Sequence, residues 1–306
     1  MPESPSSQPI VDAHQHFWDL DRNYLPWLCD QPAIPFRYGD YGALRRNYLP
    51  PDYFRDSARQ NVVKTVHVET EWDPADPVGE TRWLQTIIEA TGFPHAIVAQ
   101  ARLDRDDVEA VLAGHAAFAR VRGIRHKPRA AEAPDRVERG APGSMGDPQW
   151  RRGYAMLARH GLSFDLQTPW WHLAEAAALA RDFPQTQIIL NHTGLPSDRS
   201  EQGLAGWREA MRVLAEQPNV ACKISGLGQP GQAWTVASNG PVVLDTIAIF
   251  GIERCMFASN FPVDRLVADF DTIFDGFKAI VAHLRTTEQA ALFHDNAVRL
   301  YRLEPA

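Results

Sequence analysis

The feature that most constrains the fold is an alternation of short apolar runs with longer segments of helical spacing, repeated eight times along the chain. The runs cover residues 10–16, 62–70, 96–102, 121–126, 162–167, 187–192, 220–225 and 255–260. Strands that alternate with helices pair in parallel through right-handed crossovers. Eight such units close into a barrel, whereas open sheets of this kind more often have fewer strands. The pattern predicts a distorted (β/α)8 TIM barrel, with residues 1–306 as a single domain.

The segments between the runs carry signals for loops and for helix starts. Three connections, residues 17–61, 130–147 and 226–240, are too long for simple turns, and each follows the carboxyl end of a strand. Barrel enzymes build their sites from these loops, so we expect lids or binding walls there. The dipeptide Gly240-Pro241 has the chemistry of a helix start, and we expect a helix to begin at Pro241.

Composition restricts the class of partner. The net charge is −7, with 31 basic and 38 acidic residues and no basic block, so we expect no nucleic-acid partner. No stretch approaches the roughly 20 apolar residues that span a bilayer, so we expect no membrane partner. The three cysteines, Cys29, Cys222 and Cys255, fit a reducing compartment. Residues 1–9 lack the apolar core of a signal peptide. We expect a cytoplasmic protein.

Histidines stand where two of the predicted strands end. His14 and His16 are two residues apart, so on a strand both side chains face the same way. His192 ends another predicted strand. Because the carboxyl ends of barrel strands meet at one mouth, the three imidazoles are expected to lie together there.

Six motifs at strand ends follow one another in order along the chain. They are VDAHQHFW at 11–18, RGIRH at 122–126, FDL at 164–166, LNHTGLP at 190–196, CKISGL at 222–227 and MFASNFPV at 256–263. Together they resemble the amidohydrolase-2 group, the sugar-lactonase-like branch of the amidohydrolase superfamily, over nearly the whole chain.

The resemblance implies hydrolysis of small lactones, such as aldonolactones of the L-fucose or L-rhamnose type and pyrone dicarboxylate lactones. It implies that His14, His16 and His192 bind metal or polarise the carbonyl, and that Arg125 and His126 face the substrate. Two alternatives stay open. One is a lactone isomerase or nonoxidative decarboxylase on the same scaffold. The other is a non-catalytic barrel that binds a sugar acid.

The chain departs from the family pattern on the eighth strand, where the usual aspartate is replaced by Asn260. A carboxamide is not a useful general base and brings no negative charge to a cation. The fifth strand offers Asp165 and Gln167 in place of the superfamily's histidine. We therefore expect at most one metal ion, Zn²⁺ or another divalent cation, held by the three histidines with an open position for water. Activity without metal is the alternative, with the imidazoles and Arg125 polarising the carbonyl.

The remaining candidates are charged and aromatic side chains near the mouth. We expect proton transfer to fall to Asp165 or His192, with Asn260 orienting water or a substrate hydroxyl. Asp165 is equally a candidate for a structural partner of Arg125. Arg125 and Lys127 share one side of their strand and suit an anion or hydroxyl clamp, since a guanidinium binds carboxylates with two hydrogen bonds.

Three further residues complete the predicted substrate-binding set. Glu69 is a carboxylate at the end of the second predicted strand. Trp18 and Trp72 follow strand ends, where an indole can stack on a sugar or aromatic ring. Packing beneath a loop is the alternative for each tryptophan.

Overall fold

The computed structural model describes residues 8–303, in which eight parallel strands form one sheet in the order of the sequence. The strands are β1 (Ile10–Gln15), β2 (Val62–Val68), β3 (Ala96–Gln100), β4 (Val121–Arg125), β5 (Ser163–Leu166), β6 (Ile188–Leu190), β7 (Val220–Ile224) and β8 (Cys255–Phe257). Each lies within a predicted run, and the predicted (β/α)8 barrel is confirmed. The ends of the expected domain, residues 1–7 and 304–306, lie outside the described residues.

Backbone hydrogen bonds join β8 to β1 at the carboxyl end of the barrel. The amide of Asn260 donates to the carbonyl of His14 at 2.8 Å, and the amide of His16 donates to the carbonyl of Phe261 at 2.8 Å. The carboxylate of Asp12 also accepts from the backbone amide of Ser259 at 2.8 Å. This seam places the end of β8 directly beside the histidines of β1.

Helices follow the strands around the outside. They are α1 (Pro26–Cys29), α2 (Pro50–Asp56), α3 (Gly79–Thr91), α4 (Val108–Ala116), α5 (Pro148–Met156), α6 (Leu173–Asp182), α7 (Glu201–Ala215), α8 (Val236–Phe250), α9 (Phe270–Ile280), α10 (Thr286–Ala290) and α11 (Asn296–Leu300). The predicted start of a helix at Pro241 is wrong. Thr235 and Ser238 form a capping box, so α8 begins at Val236 and carries Pro241 inside it.

The apolar core has two layers. The larger layer packs the helices against the outside of the strands. The smaller one fills the barrel with side chains such as Val11, Val66 and Ile189, and the C-terminal segment adds Tyr301 and Leu303. A barrel filled in this way is a packed core, so the space for a ligand lies beyond the strand ends. Within residues 8–303, no helix combines the length and the apolar character needed to cross a bilayer.

Candidate active site

A cavity of about 240 Å³ opens where the strands end. Seven of the predicted site residues line it: His16, Trp18, Glu69, Arg125, Lys127, His192 and Asn260. Four others do not, namely His14, Asp165, His126 and Trp72. The long loop after β1 covers the cavity with aromatic and cationic side chains.

The three histidines are packed against one another. The ring centroids of His14 and His16 are 4.9 Å apart, and those of His14 and His192 are 4.7 Å apart. Burial lowers the pKa of all three imidazoles well below the ordinary value, and neighbouring cations, including Arg125, lower it further. All three rings are therefore neutral near pH 7, when an imidazole has a lone pair to accept a proton.

The Nε2 atom of His16 faces the side-chain oxygen of Asn260, and both atoms are hydrogen-bond acceptors. Its Nδ1 lies 2.6 Å from the carbonyl oxygen of Val68, which can only accept, so Nδ1 carries the proton. Its Nε2 then has a free lone pair and lies 3.3 Å from Oδ1 of Asn260. The amide of Asn260 is fixed in this orientation because its Nδ2 donates to Asp264 at 2.6 Å. Two acceptors thus converge on one point, where a water or a hydroxyl can donate to both.

Asp264 links Asn260 to the loop above the cavity. Its Oδ1 also accepts from the hydroxyl of Tyr38 at 2.9 Å and lies 3.3 Å from the guanidinium of Arg37. Burial raises the pKa of this carboxyl, and Arg37 opposes that shift. The sequence lacks a carboxylate at position 260 but supplies one at position 264, which orients the amide.

Arg125 pairs with Glu69. Its Nε lies 2.5 Å from the Glu69 carboxylate, its NH2 donates to the Glu69 carbonyl at 2.6 Å, and its NH1 donates to Gln167 at 3.1 Å. Pairing of Arg125 with Asp165 is therefore wrong. Lys127 lies against Glu71 at the more exposed side of the cavity. These pairs form a charged wall opposite the histidines.

Asp165 lies beneath the cavity, in a buried ion pair with Lys223. The Lys223 ammonium is 2.5 Å from Oδ2 of Asp165, and both side chains are inaccessible to solvent. The hydroxyl of Tyr301 donates to the same oxygen at 2.8 Å. The ammonium also donates to the carbonyl of Ala13 and to Nδ1 of His14, at 3.1 and 3.4 Å. Asp165 is thus placed to position Lys223 and His14, away from any water in the cavity.

Three residues that line the cavity have left-handed backbone conformations. The φ angles are 57° at Glu71, 55° at His192 and 58° at Asn260. Such conformations are uncommon outside glycine and asparagine and concentrate at functional sites. His192 is held by a contact of 2.9 Å between its Nδ1 and the hydroxyl of Ser225. The β6 and β8 ends are therefore turned sharply so that these side chains face the cavity.

Comparison with known proteins agrees with this geometry. A family model described as an amidohydrolase matches residues 11–303. The chain belongs to the amidohydrolase family. The resemblance seen in the strand-end motifs is thereby confirmed.

Individual relatives cover nearly the whole chain. An uncharacterized protein, y4mH, of Sinorhizobium fredii is 47% identical, covering 96% of this chain and 98% of its own. An L-fucono-1,5-lactonase of Burkholderia ambifaria is 29% identical, covering 96% of each. The crystal structure of an amidohydrolase from Burkholderia multivorans with bound zinc has a TM-score of 0.79 and 26% identity, covering 96% of this chain and 99% of that one.

The three histidines offer a zinc ion neutral nitrogens but no charged ligand. Lys223 lies 3.4 Å from Nδ1 of His14, whereas Nε2 of His14 is buried and has no hydrogen-bond partner among the described residues. Position 260 supplies an amide instead of a charged ligand. No group of three histidine, cysteine or acidic side chains among residues 8–303 is arranged to hold a metal ion. The metal site expected at His14, His16 and His192 stays a prediction.

His126 and Trp72 lie outside the cavity, contrary to their predicted roles. His126 is on the opposite side of its strand from Arg125, and its Nδ1 accepts from the amide of Leu103 at 3.1 Å and from the indole of Trp150 at 3.0 Å. Trp72 stacks on Trp83, with ring centroids 5.9 Å apart. Neither side chain lines the cavity.

The position of His126 predicts a loss of stability in acid. Burial lowers the pKa of His126 from 6.5 to about 4, and Asp104 opposes this shift. Protonation of Nδ1 would also break its two hydrogen bonds. Below pH 6.5 the His126 imidazole binds a proton in the unfolded chain but not in the folded protein. The free energy of unfolding therefore falls as the pH drops from 6.5 towards 4.

His126→Gln, which keeps an acceptor, should lose less stability than the wild type over this range. The difference should be about 1.4 kcal/mol for each pH unit below the unfolded pKa. Urea unfolding at a series of pH values measures it. Parallel curves for the two proteins would contradict this account of His126.

Several cavity residues were not predicted from the sequence. Trp27 and Phe36 stack with centroids 5.7 Å apart, and Arg37 follows directly. All three come from the 17–61 loop, whose length and aromatic content predicted a binding wall. Nothing in its spacing indicated which of its residues reach the cavity.

Proposed function

We propose that the protein hydrolyses a small lactone by attack of water on the ring carbonyl. The observation that carries the proposal is the convergence of His16 Nε2 and Asn260 Oδ1, two acceptors 3.3 Å apart, in a cavity that Arg37 and Arg125 also line. A water that donates to both would be held with its oxygen lone pair facing outwards. The relationship to L-fucono-1,5-lactonase supports a sugar lactone as the substrate class.

The proposed reaction assigns one role to each side chain. The water forms a bond to the carbonyl carbon while its proton moves to Nε2 of His16, which acts as the general base. Arg37 and Arg125, which line the cavity, stabilise the negative charge that develops on the carbonyl oxygen. The ring C–O bond then breaks, and the His16 imidazolium returns its proton to the leaving alkoxide. The products are a hydroxyl group and a carboxylic acid.

His192 is a second neutral imidazole in the cavity and is the alternative candidate for the base. Its Nδ1 contacts a serine hydroxyl, which can donate or accept, so its tautomer is not fixed in the way that of His16 is. Asp165, the other predicted proton acceptor, is replaced in this scheme by His16 because it is buried in an ion pair below the cavity.

A panel of lactones tests the function. It contains L-fucono-1,5-lactone, other aldonolactones and a pyrone dicarboxylate lactone. Acid release is followed at constant pH, and the products are identified by NMR. Hydrolysis gives one acid equivalent for each ring opened. Isomerisation without acid release, release of carbon dioxide, or binding without turnover would each overturn the proposal in favour of a rival.

Removal of metal should leave hydrolysis unchanged, because the proposed reaction uses His16 as the base and no charged ligand stands at position 260. Protein dialysed against a chelator and assayed in metal-free buffer should keep the kcat of the untreated enzyme. Metal content is measured on the same samples. Asn260→Asp, which restores a charged ligand, is the matched variant and should retain more zinc. Loss of activity on chelation with recovery on adding one equivalent of zinc would contradict this.

A further inference from the structure

A second cavity of about 180 Å³ lies behind His192, between the loops that follow β1, β6 and β7. Arg37 lines both this cavity and the catalytic one. Gly226 makes the close approach possible, since a Cβ there would lie 2.6 Å from Nδ1 of His192 and 2.9 Å from NH2 of Arg37. The absence of a side chain at Gly226 thus allows Arg37 to lie beside His192.

Arg199 presents unused donors in this second cavity. Its NH2 donates to the carbonyl of Leu227 at 3.1 Å. Its Nε and NH1 atoms are buried, and neither has a hydrogen-bond partner in the part of the chain that the structure describes. Burial also lowers the pKa of Arg199, although a guanidinium remains charged. Buried donors on a charged group are costly when unpaired, so an acceptor is expected to occupy the space in front of them.

The charge around Arg199 favours an anion. No acidic side chain lines the second cavity among the described residues. Its neighbour Asp198 accepts from the amide of Ser200 at 2.9 Å and is exposed. The carboxylate of Asp264 contacts Arg37 on the other side, through one nitrogen at 3.3 Å. Arg37 is thus partly compensated by Asp264, whereas no carboxylate among the described residues forms an ion pair with Arg199.

We propose that Arg199 and Arg37 form a carboxylate subsite, which binds a carboxylate carried by the lactone away from its scissile carbonyl. The inference rests on the proposed function. It narrows the proposed substrate from a neutral sugar lactone to a lactone that carries a carboxylate. A guanidinium suits this group because its planar fork makes two parallel hydrogen bonds to a carboxylate. Arg37 joins the subsite to the catalytic cavity, so the anchored ring is held with its carbonyl near His16.

Equilibrium binding tests the subsite without depending on turnover. Succinate is titrated against the protein by calorimetry, with uncharged succinamide as the matched ligand. The variants are Arg199→Gln, Arg199→Lys and, as control, Arg181→Gln, which removes the same charge from an exposed position on α6. Circular dichroism checks that each variant is folded.

We expect succinate to bind the wild type and the Arg181→Gln control equally, and succinamide not to bind. Arg199→Gln should weaken succinate binding by about 10- to 100-fold, the scale of a lost hydrogen bond to a charged group. Arg199→Lys should bind with intermediate affinity, since it keeps the charge without the fork. Equal affinity in wild type and Arg199→Gln, or no binding to either, would overturn the subsite. Tighter binding of inorganic phosphate than of succinate would overturn the carboxylate assignment.

Kinetics then connects the subsite to the reaction. The paired substrates are γ-butyrolactone-γ-carboxylate and its carboxamide, which differ only in charge. Arg199→Gln should lower kcat/KM for the carboxylate by about 10- to 100-fold more than for the carboxamide. Equal losses for both would contradict a role in substrate binding. If the wild type hydrolyses neither these compounds nor any lactone of the panel while succinate binding still depends on Arg199, the proposed function fails and the anion site stands.

Discussion

His16→Asn should lower kcat for the best lactone by about 10²- to 10⁴-fold, the usual contribution of a general base. The variant should fold, because asparagine is smaller and its amide can still donate to the Val68 carbonyl that now accepts from Nδ1 of His16. KM should change less than kcat, since the imidazole acts on water in the transition state and is not the anchor of the ring. The measurement is steady-state kinetics on purified wild type and variant.

Four further variants separate the roles of these side chains. His126→Gln is the control, because this buried histidine lies outside the cavity and should leave kcat unchanged at neutral pH. Asn260→Leu removes the second acceptor for the water and should lower kcat, whereas Asn260→Asp keeps an acceptor oxygen and should lower it less. If His16→Asn keeps nearly full activity while His192→Asn loses at least about 100-fold, His192 is the base and the assignment to His16 is wrong.

The barrel could be predicted because its signal is repeated. Each strand gives a short apolar run that must be buried on both faces, and eight such runs with helices between them leave few architectures. The start of α8 could not be predicted in the same way. Two segments carry signals for the start of a helix, namely Gly240-Pro241 and the pair Thr235 and Ser238. Which of them caps the helix depends on where the preceding loop leaves the barrel.

The candidate site was predictable where it depended on strand geometry. Side chains two apart on β1 face the same way, and the rings of His14 and His16 do lie together. The same alternation places His126 opposite Arg125. The pairing of charges was not predictable, because Glu69, Asp165 and several cations all lie near strand ends. Which of them meet depends on barrel register and side-chain length, and neither can be read from local spacing.

The expected effect of losing Asp165 depends on which cation it pairs with, and the structure pairs it with Lys223. The sequence placed Asp165 either beside Arg125 or in contact with water, and in both cases its loss would chiefly affect activity. The structure places it 2.5 Å from an ammonium that solvent does not reach. Its loss is therefore expected to affect the stability of the whole barrel as well as the position of His14.

Asp165→Ala should lower the free energy of unfolding by about 3–5 kcal/mol, the scale found when one partner of a buried ion pair is removed. The cause is the Lys223 ammonium, which would stay buried without its counterion. Burial already lowers the pKa of Lys223, and the Asp165 carboxylate is the main group that opposes this shift. Asp182→Ala is the control, because its pair with Arg151 is partly exposed and should contribute less than about 1 kcal/mol.

A double variant decides whether the pair acts as a unit. Asp165→Leu with Lys223→Met removes both charges and fills much of the same volume, so it should recover most of the stability that Asp165→Ala loses. Urea unfolding of the singles and the double gives the coupling free energy. If the losses of the singles simply add in the double, the two charges are independent and the account of this pair is wrong. If stability is recovered but kcat is not, the pair's second role is to hold His14, through the contact of 3.4 Å between Lys223 and its Nδ1.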